Sequence, residues 1–208
     1  MKNLRVFLLF VISGFLVSYI HAQEAKWDVH NRTLASYSSE GITGIELQGT
    51  PEGVGLAWLA GANFSEGIIE FDIQGANVPG QNFVGIAFHA EGNDVYDCVY
   101  FRPFNFVAKE QARKDHMVQY VSEPGFGWRI LRETRTGEFE AEIPSPPNPD
   151  KWFHAKIEVR GKQVKVFIDG GSEPVLQVEK LNERTSGKIG FWVGYKTSGA
   201  IANLKIME

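Results

Sequence analysis

The stretch D-V-Y-D-C-V-Y-F-R-P-F-N-F, Asp94 to Phe106, decides how this chain reads. At a period of two, Val95, Val99 and Phe101 fall on one side, and Tyr96, Cys98, Tyr100 and Arg102 on the other. Pro103 ends the run, because proline donates no hydrogen bond to a β-ladder. One face is β-branched or aromatic, as a strand packed on a core requires. The other carries two phenols and a guanidinium, where a solvated face normally carries Lys, Glu, Thr and Ser. Aromatic faces beside a planar donor fork suit a ligand with both apolar ring surface and hydroxyls, which is the chemistry of a sugar. The alternative is a second hydrophobic layer with a satisfied arginine, and the residues leave both open.

The same period recurs on either side, between turns rich in Gly and Pro. After a mixed lead-in from Trp27, a first strand is expected around Ile42–Leu47, and a buried one within Gly53–Leu59. Ile69, Phe71 and Ile73 alternate against Glu70 and Asp72, and Phe83–His89 is apolar enough for a central strand. Further strands are read at His116–Val121, Trp128–Arg132 and Phe139–Ile143, before a proline-rich loop at Pro144–Pro149. Beyond it, Phe153, Ala155, Ile157 and Val159 oppose His154, Lys156, Glu158 and Arg160. Val164–Ile168, Val175–Val178, Ile189–Tyr195 and Ile201–Ile206 complete the set. No helix longer than a turn or two is predicted, with short ones at Lys109–Arg113 or Asn182–Arg184. About a dozen short strands in one domain predict an all-β fold, a two-sheet antiparallel jelly-roll sandwich. A single open sheet of that size would expose one face and both edges.

The chain opens with Lys2 and Arg5, an apolar run from Val6 to Ile20, and His21-Ala22-Gln23. A basic start, a short apolar run and a small residue before a polar stretch describe a signal peptide over residues 1–22. The run is too short for a confident membrane span, so an exported protein without membrane insertion is expected, periplasmic or extracellular. Removing 22 of 208 residues leaves 186 in a single domain, residues 23–208. The formal charge of −4 becomes −6, because the leader holds two cations and no acid. A mildly acidic chain without a Lys/Arg cluster argues against a nucleic-acid partner. The single Cys98 allows no internal disulfide and is expected as a small core residue.

The strands and their residues resemble the concanavalin A-like lectin/glucanase jelly roll, and more narrowly secreted bacterial laminin-G-like and 3-keto-disaccharide hydrolase-type domains. The resemblance rests on Gly67–Ile73, Val84–His89, Tyr100–Phe106, Val118–Tyr120, Trp152–Val159, Val164–Asp169 and Gly187–Gly194, and spans about residues 40–206. It implies a curved sheet whose concave face binds saccharide, and hydrolysis of a glycoside if the protein is an enzyme. This fold hosts lectins, adhesion modules and glycosidases alike, so the resemblance is specific for fold and weak for function. It implies no cofactor; a structural Ca²⁺ would fit family habit, with no ligands to name.

Glu70-Phe71-Asp72-Ile73-Gln74 is similar to the acid-x-acid-x-acid strand of family 16 glucanases, except that Gln74 stands at the last position. A retaining glycosidase needs two carboxyls about 5–5.5 Å apart, and an amide neither gives nor takes a proton. Glu70 and Asp72 remain as an acid pair, against the common alternative of a solvated acidic face. His89, ending its strand at a sheet rim, is a candidate general base or a histidine bonded to its own turn. The catalytic candidates are therefore His89 and Glu70. The saccharide-binding candidates are Tyr100, Arg102, Asn105, Gln119, Tyr120, Trp128 and Asp72. Whether Gln119 or Tyr120 faces the ligand depends on which of two inward sets the strand takes. No spacing of His and Cys supports a transition-metal site. The expected partner is a saccharide, held by an enzyme or by a non-catalytic lectin-like module; a laminin-G-like protein partner is the third reading.

Overall fold

The computed structural model describes residues 17–19, 25–49 and 52–208. The expected signal peptide falls largely outside these residues. Two antiparallel sheets form a sandwich, as the alternation predicted. The first, here the back sheet, runs in the order β13 (Leu176–Glu179), β12 (Gln163–Ile168), β11 (Phe153–Arg160), β6 (Gly67–Gln74), β15 (Gly199–Met207), β4 (Ile42–Gln48) and β3 (Thr33–Ser39). A short β1 (Val17–Tyr19) pairs with Lys205–Met207 of β15, beyond the part covered by β4.

The second, the cleft sheet, runs β10 (Glu140–Ala141), β9 (Val118–Glu123), β8 (Tyr96–Phe101), β7 (Val84–Ala90), β14 (Lys188–Val193), β5 (Gly55–Leu59) and β2 (Trp27–His30). The two sheets bury their residues differently, and the difference locates the site. In β6 and β11 buried residues alternate with half-exposed ones, which is the signature of one face on the core and one in water. Every residue of β7 and β8 is buried, so the outer face of the cleft sheet is also covered. The cover is the segment between β8 and β10. It contains a 3-10 turn at Pro103–Asn105, the short α1 (Gln111–Lys114) and the two-turn α2 (Trp128–Thr134).

Between the sheets the core is dominated by β-branched and aromatic side chains. Ile69, Phe71 and Ile73 of β6 and Ile86 and Phe88 of β7 are fully buried. Phe101 of β8 meets Phe153 of β11 edge-on across the sandwich, with ring centroids 5.2 Å apart.

Two strands were not legible in the lead-in, β2 and β3, because Trp27–Ser39 carries few apolar residues at a clean period. Both are edge strands, and edges tolerate a weak pattern. Trp128–Arg132, expected as a strand, is α2 instead. Leu131 is its buried anchor, while Trp128, Arg129 and Ile130 stay exposed. Five residues with one anchored position fit either period, so tertiary context decides. Among the described residues no helix is long and apolar enough to cross a membrane.

Candidate functional site

Directly paired residues of an antiparallel sheet share a face, so the register writes out the site. One row crosses all seven strands of the cleft sheet: Glu140, Gln119, Tyr100, Gly85, Trp192, Leu56 and His30. Its centre is Gly85, which has no side chain to separate its neighbours. The rings of Tyr100 and Trp192, on the strands either side, therefore stack over it at 4.9 Å between centroids and 29° between planes. Beside this row Tyr96 accepts a hydrogen bond from the Trp192 indole Nε1 at 3.2 Å. Together they floor a cleft of about 710 Å³, walled by Phe83, Phe104, Glu123 and Trp128 among others.

At one end of the floor lies a polar fork. Arg102, 5% exposed, donates from Nη2 to the Tyr100 hydroxyl at 2.9 Å and to Gln119 Oε1, and from Nη1 to the His116 carbonyl at 3.0 Å. Tyr100 donates onward to Gln119 Oε1 at 2.9 Å. The Gln119 amide nitrogen is buried with no partner. The Arg102 guanidinium also lies over the Tyr100 ring, 5.0 Å from its centroid. Burial lowers the Arg102 pKa below its ordinary value, and burial pushes the Tyr100 phenol up to about 12. At neutral pH the pair is thus a guanidinium beside a protonated phenol, with donors fixed in place.

The charge opposite the fork comes from Glu140, whose side chain is almost wholly buried. Arg132 of α2 grips it with two bonds, Nε to Oε1 at 3.1 Å and Nη2 to Oε2 at 2.7 Å. His116 Nδ1 stands 2.8 Å from Oε2 without hydrogen-bond alignment, and Arg102 Nη1 is 3.7 Å away. Burial lowers the His116 pKa, and the two arginines add to that effect against the pull of Glu140. Asn105 donates to the His116 carbonyl at 3.1 Å and accepts from Arg113 Nε at 3.2 Å, so α1 is pinned to the same wall.

Of the saccharide-binding candidates, Tyr100, Arg102 and Asn105 line this cleft, Gln119 lies immediately beneath, and Trp128 stands at its rim, 46% exposed. The Trp128 ring carries the guanidinium of Arg129 at 5.6 Å and that of Arg132 at 5.3 Å. Tyr120 does not join them. Gln119 takes the cleft side of β9, so Tyr120 faces the core, where its hydroxyl donates to Asp97 at 2.6 Å.

Asp72 and Glu70 project from the outer face of β6, on the back sheet and across the whole sandwich from the cleft. Both Asp72 oxygens are engaged, one by His154 Nδ1 at 2.9 Å and one by Asn203 Nδ2 at 2.6 Å. His89 is 1% exposed and also away from the cleft. Its Nε2 lies 2.7 Å from the Ser65 carbonyl and its Nδ1 3.0 Å from Lys180 Nζ. Those partners assign the N–H to Nε2 and the lone pair to Nδ1. The structure thus separates both catalytic candidates from the ligand-sized space. Cys98 is fully buried, and burial drives its thiol pKa well up, so it is a packing residue rather than a nucleophile.

Sequence reasoning missed Trp192, Glu123, Arg113, Arg129 and Arg132 as cleft residues, and Glu140 as the buried carboxylate beside them. For Trp192 a signal existed: Gly190, Trp192 and Gly194 alternate against Ile189, Phe191 and Val193, which marks a tryptophan flanked by glycines on one face. For the arginines no signal existed, because α1 and α2 bring them in from loops. Among the described residues no group of three His, Cys, Asp or Glu stands where it could hold a metal ion.

No protein-family model matches the chain, and no curated protein matches it. Solved structures do. The chain is similar to the carbohydrate-binding module CBM66 from Bacillus subtilis, with a TM-score of 0.61 at 17% identity over 88% of this chain and 97% of that one. It is also similar to a Bacillus subtilis protein with a galectin-like fold, with a TM-score of 0.56 at 15% identity, covering 91% and 97%. A prokaryotic β-1,3-1,4-glucanase (lichenase) derived from a mouse hindgut metagenome matches with a TM-score of 0.56 at 12% identity, covering 93% and 99%. At these identities the likeness establishes the fold alone, a two-sheet jelly-roll sandwich.

Proposed function

We propose that the protein binds a saccharide in the cleft on the outer face of its β10–β2 sheet. The observation that carries this reading is the exposed Trp128 at the rim of a cleft floored by the Tyr100–Trp192 stack and ended by the Arg102 fork. A sugar has a weakly polar ring face and a rim of hydroxyls, and this cleft offers a stacking surface and oriented donors at matching positions. A second aromatic, Tyr195, lines the cleft with 44% of its surface exposed.

The reading favours binding over hydrolysis. Glu123 is the carboxylate among the described residues that line the cleft, and Glu140 is buried in the grip of Arg132. Two-carboxyl glycoside chemistry needs a free acid and a free base flanking one bond. The 3-keto-disaccharide hydrolase-type reading draws its support from the resemblance alone, and its candidate bases His89 and Glu70 lie away from the cleft.

Calorimetric titration of the protein with a panel of oligosaccharides, with product analysis of each mixture, tests the proposal. A saccharide that binds and is recovered intact, with affinity reduced about tenfold or more in Trp128→Ala, is the expected result. Release of a smaller sugar would replace binding with hydrolysis. Absence of binding across the panel would remove the saccharide reading and favour a protein partner of the laminin-G-like kind.

A further inference from the structure

The charge of the cleft is at odds with that of the chain. Over its full length the protein carries a formal net charge of −4. Yet the cleft is lined by four arginines, Arg102, Arg113, Arg129 and Arg132, and by one carboxylate, Glu123. Their internal partners do not use up this charge. Glu140 serves Arg132 directly and Arg102 at 3.7 Å, one carboxylate between two guanidiniums. Glu110 reaches Arg113 only at 3.8 Å, and its side chain is 68% exposed, so that pair is weak. Arg129 touches the face of Trp128 and has no carboxylate partner among the described residues.

Resting on the saccharide reading, we infer that the ligand is an anionic sugar, one that carries a carboxylate or a sulfate on its ring. Arginine matches such groups because its planar fork meets two oxygens at once. The placement fits a single residue of an acidic oligosaccharide. The ring lies on Trp128, and its anionic substituent meets the guanidinium of Arg129 or Arg132 beside the same indole. Arg113 and Arg102 stand on other walls of the cleft for a neighbouring residue's charge or hydroxyls. Glu123 would oppose an anion, but it is one carboxylate against four guanidiniums in the cleft lining. Partial enclosure matters too, because charges in a cleft are screened less than charges on an open surface.

The experiment compares tetragalacturonate (carboxylate, no sulfate), a keratan sulfate tetrasaccharide (sulfate, no carboxylate) and two neutral ligands, cellotetraose and galactotetraose, by calorimetry on the intact protein. At least one anionic ligand is expected to bind about tenfold or more tightly than both neutral ones. That preference should shrink as NaCl is raised from about 0.05 to about 0.5 M. Which anionic ligand binds better identifies the recognised group. In Arg129→Gln, whose side chain is exposed and leaves the core intact, the anionic-to-neutral affinity ratio should fall about fivefold or more. Neutral ligands that bind as tightly as anionic ones would overturn this inference and leave the saccharide reading standing. An affinity ratio unchanged in Arg129→Gln would also overturn it. Failure of all four ligands to bind would remove both.

Discussion

At the scale of single residues, the structure separates side chains that look alike in sequence. Asp72 sits on a strand with an alternating pattern and Arg102 directly follows one, yet one anchors the outer face of the back sheet and the other the cleft. Burial by itself would raise the Asp72 pKa, but hydrogen bonds from His154 and Asn203 outweigh it and hold the carboxyl below its usual range. The bond to Asp72 raises His154 above the ordinary imidazole value, against the opposing effect of its burial. The signs of these shifts define a pH window. The raised His154 contributes stability below its unfolded pKa of about 6.5 and loses it as pH climbs through the folded value. The depressed Asp72 contributes above its unfolded pKa of about 3.9 and loses it as pH falls. The melting-temperature gap between the wild type and His154→Gln should therefore peak near about pH 5.5 and narrow toward both about pH 3 and about pH 8.5. A gap that does not change with pH would show that the pair contributes by packing alone.

At the scale of elements, the cleft floor depends on one glycine. A Cβ on Gly85 would lie 2.2 Å from the Val99 carbonyl oxygen and 2.6 Å from Tyr100 Cα, so β7 and β8 would have to move apart. Gly85→Ala is expected to destabilise the protein by about 1–3 kcal/mol, as overpacking does. It should also weaken the near-UV circular dichroism that the Tyr100–Trp192 stack produces. An unchanged aromatic signal would mean the rings do not need the glycine to meet. Much of this level was legible in advance. The alternation placed Tyr96, Tyr100 and Arg102 on one side of the stretch, and that side lines the cleft. The face of β9 was not legible, because Met117/Gln119/Val121 and His116/Val118/Tyr120 are equally plausible as core sets. Pairing of Gln119 with Tyr100 decides it. Nor was α2 legible, since a single buried leucine in seven residues defines no period.

At the scale of the whole molecule, the two sheets are joined by more than apolar packing. Asp97 lies on the core face of β8 and is fully buried. It accepts from Tyr120 at 2.6 Å and Asn182 at 2.5 Å, and stands 3.4 Å from Arg184 and 3.7 Å from His89. Burial alone would raise its pKa, but hydrogen bonding and the charges of Arg184 and Lys180 outweigh that and hold it low. Asn182 and Arg184 belong to the segment just after β13, so the cluster ties the edge of the back sheet to the middle of the cleft sheet. Asp97→Ala leaves Tyr120, Asn182 and the nearby cations without their acceptor, and removal of one partner from a buried charge cluster costs about 3–5 kcal/mol. Urea unfolding should show a loss of that order. A loss below about 1 kcal/mol would mean the hydrophobic contacts between the sheets suffice.

The amino-acid pattern by itself determined the class of fold and which side chains of β8 share a face. Period-two alternation is a local property, set by the geometry of one strand, and it survives in the sequence whatever the strand packs against. Only the tertiary structure decided which sheet holds the cleft, that Glu70, Asp72 and His89 lie away from it, and that four arginines line it. Those facts depend on strand order and register, and on loops that fold over one face. Such relations join residues far apart in the chain, so no local period records them.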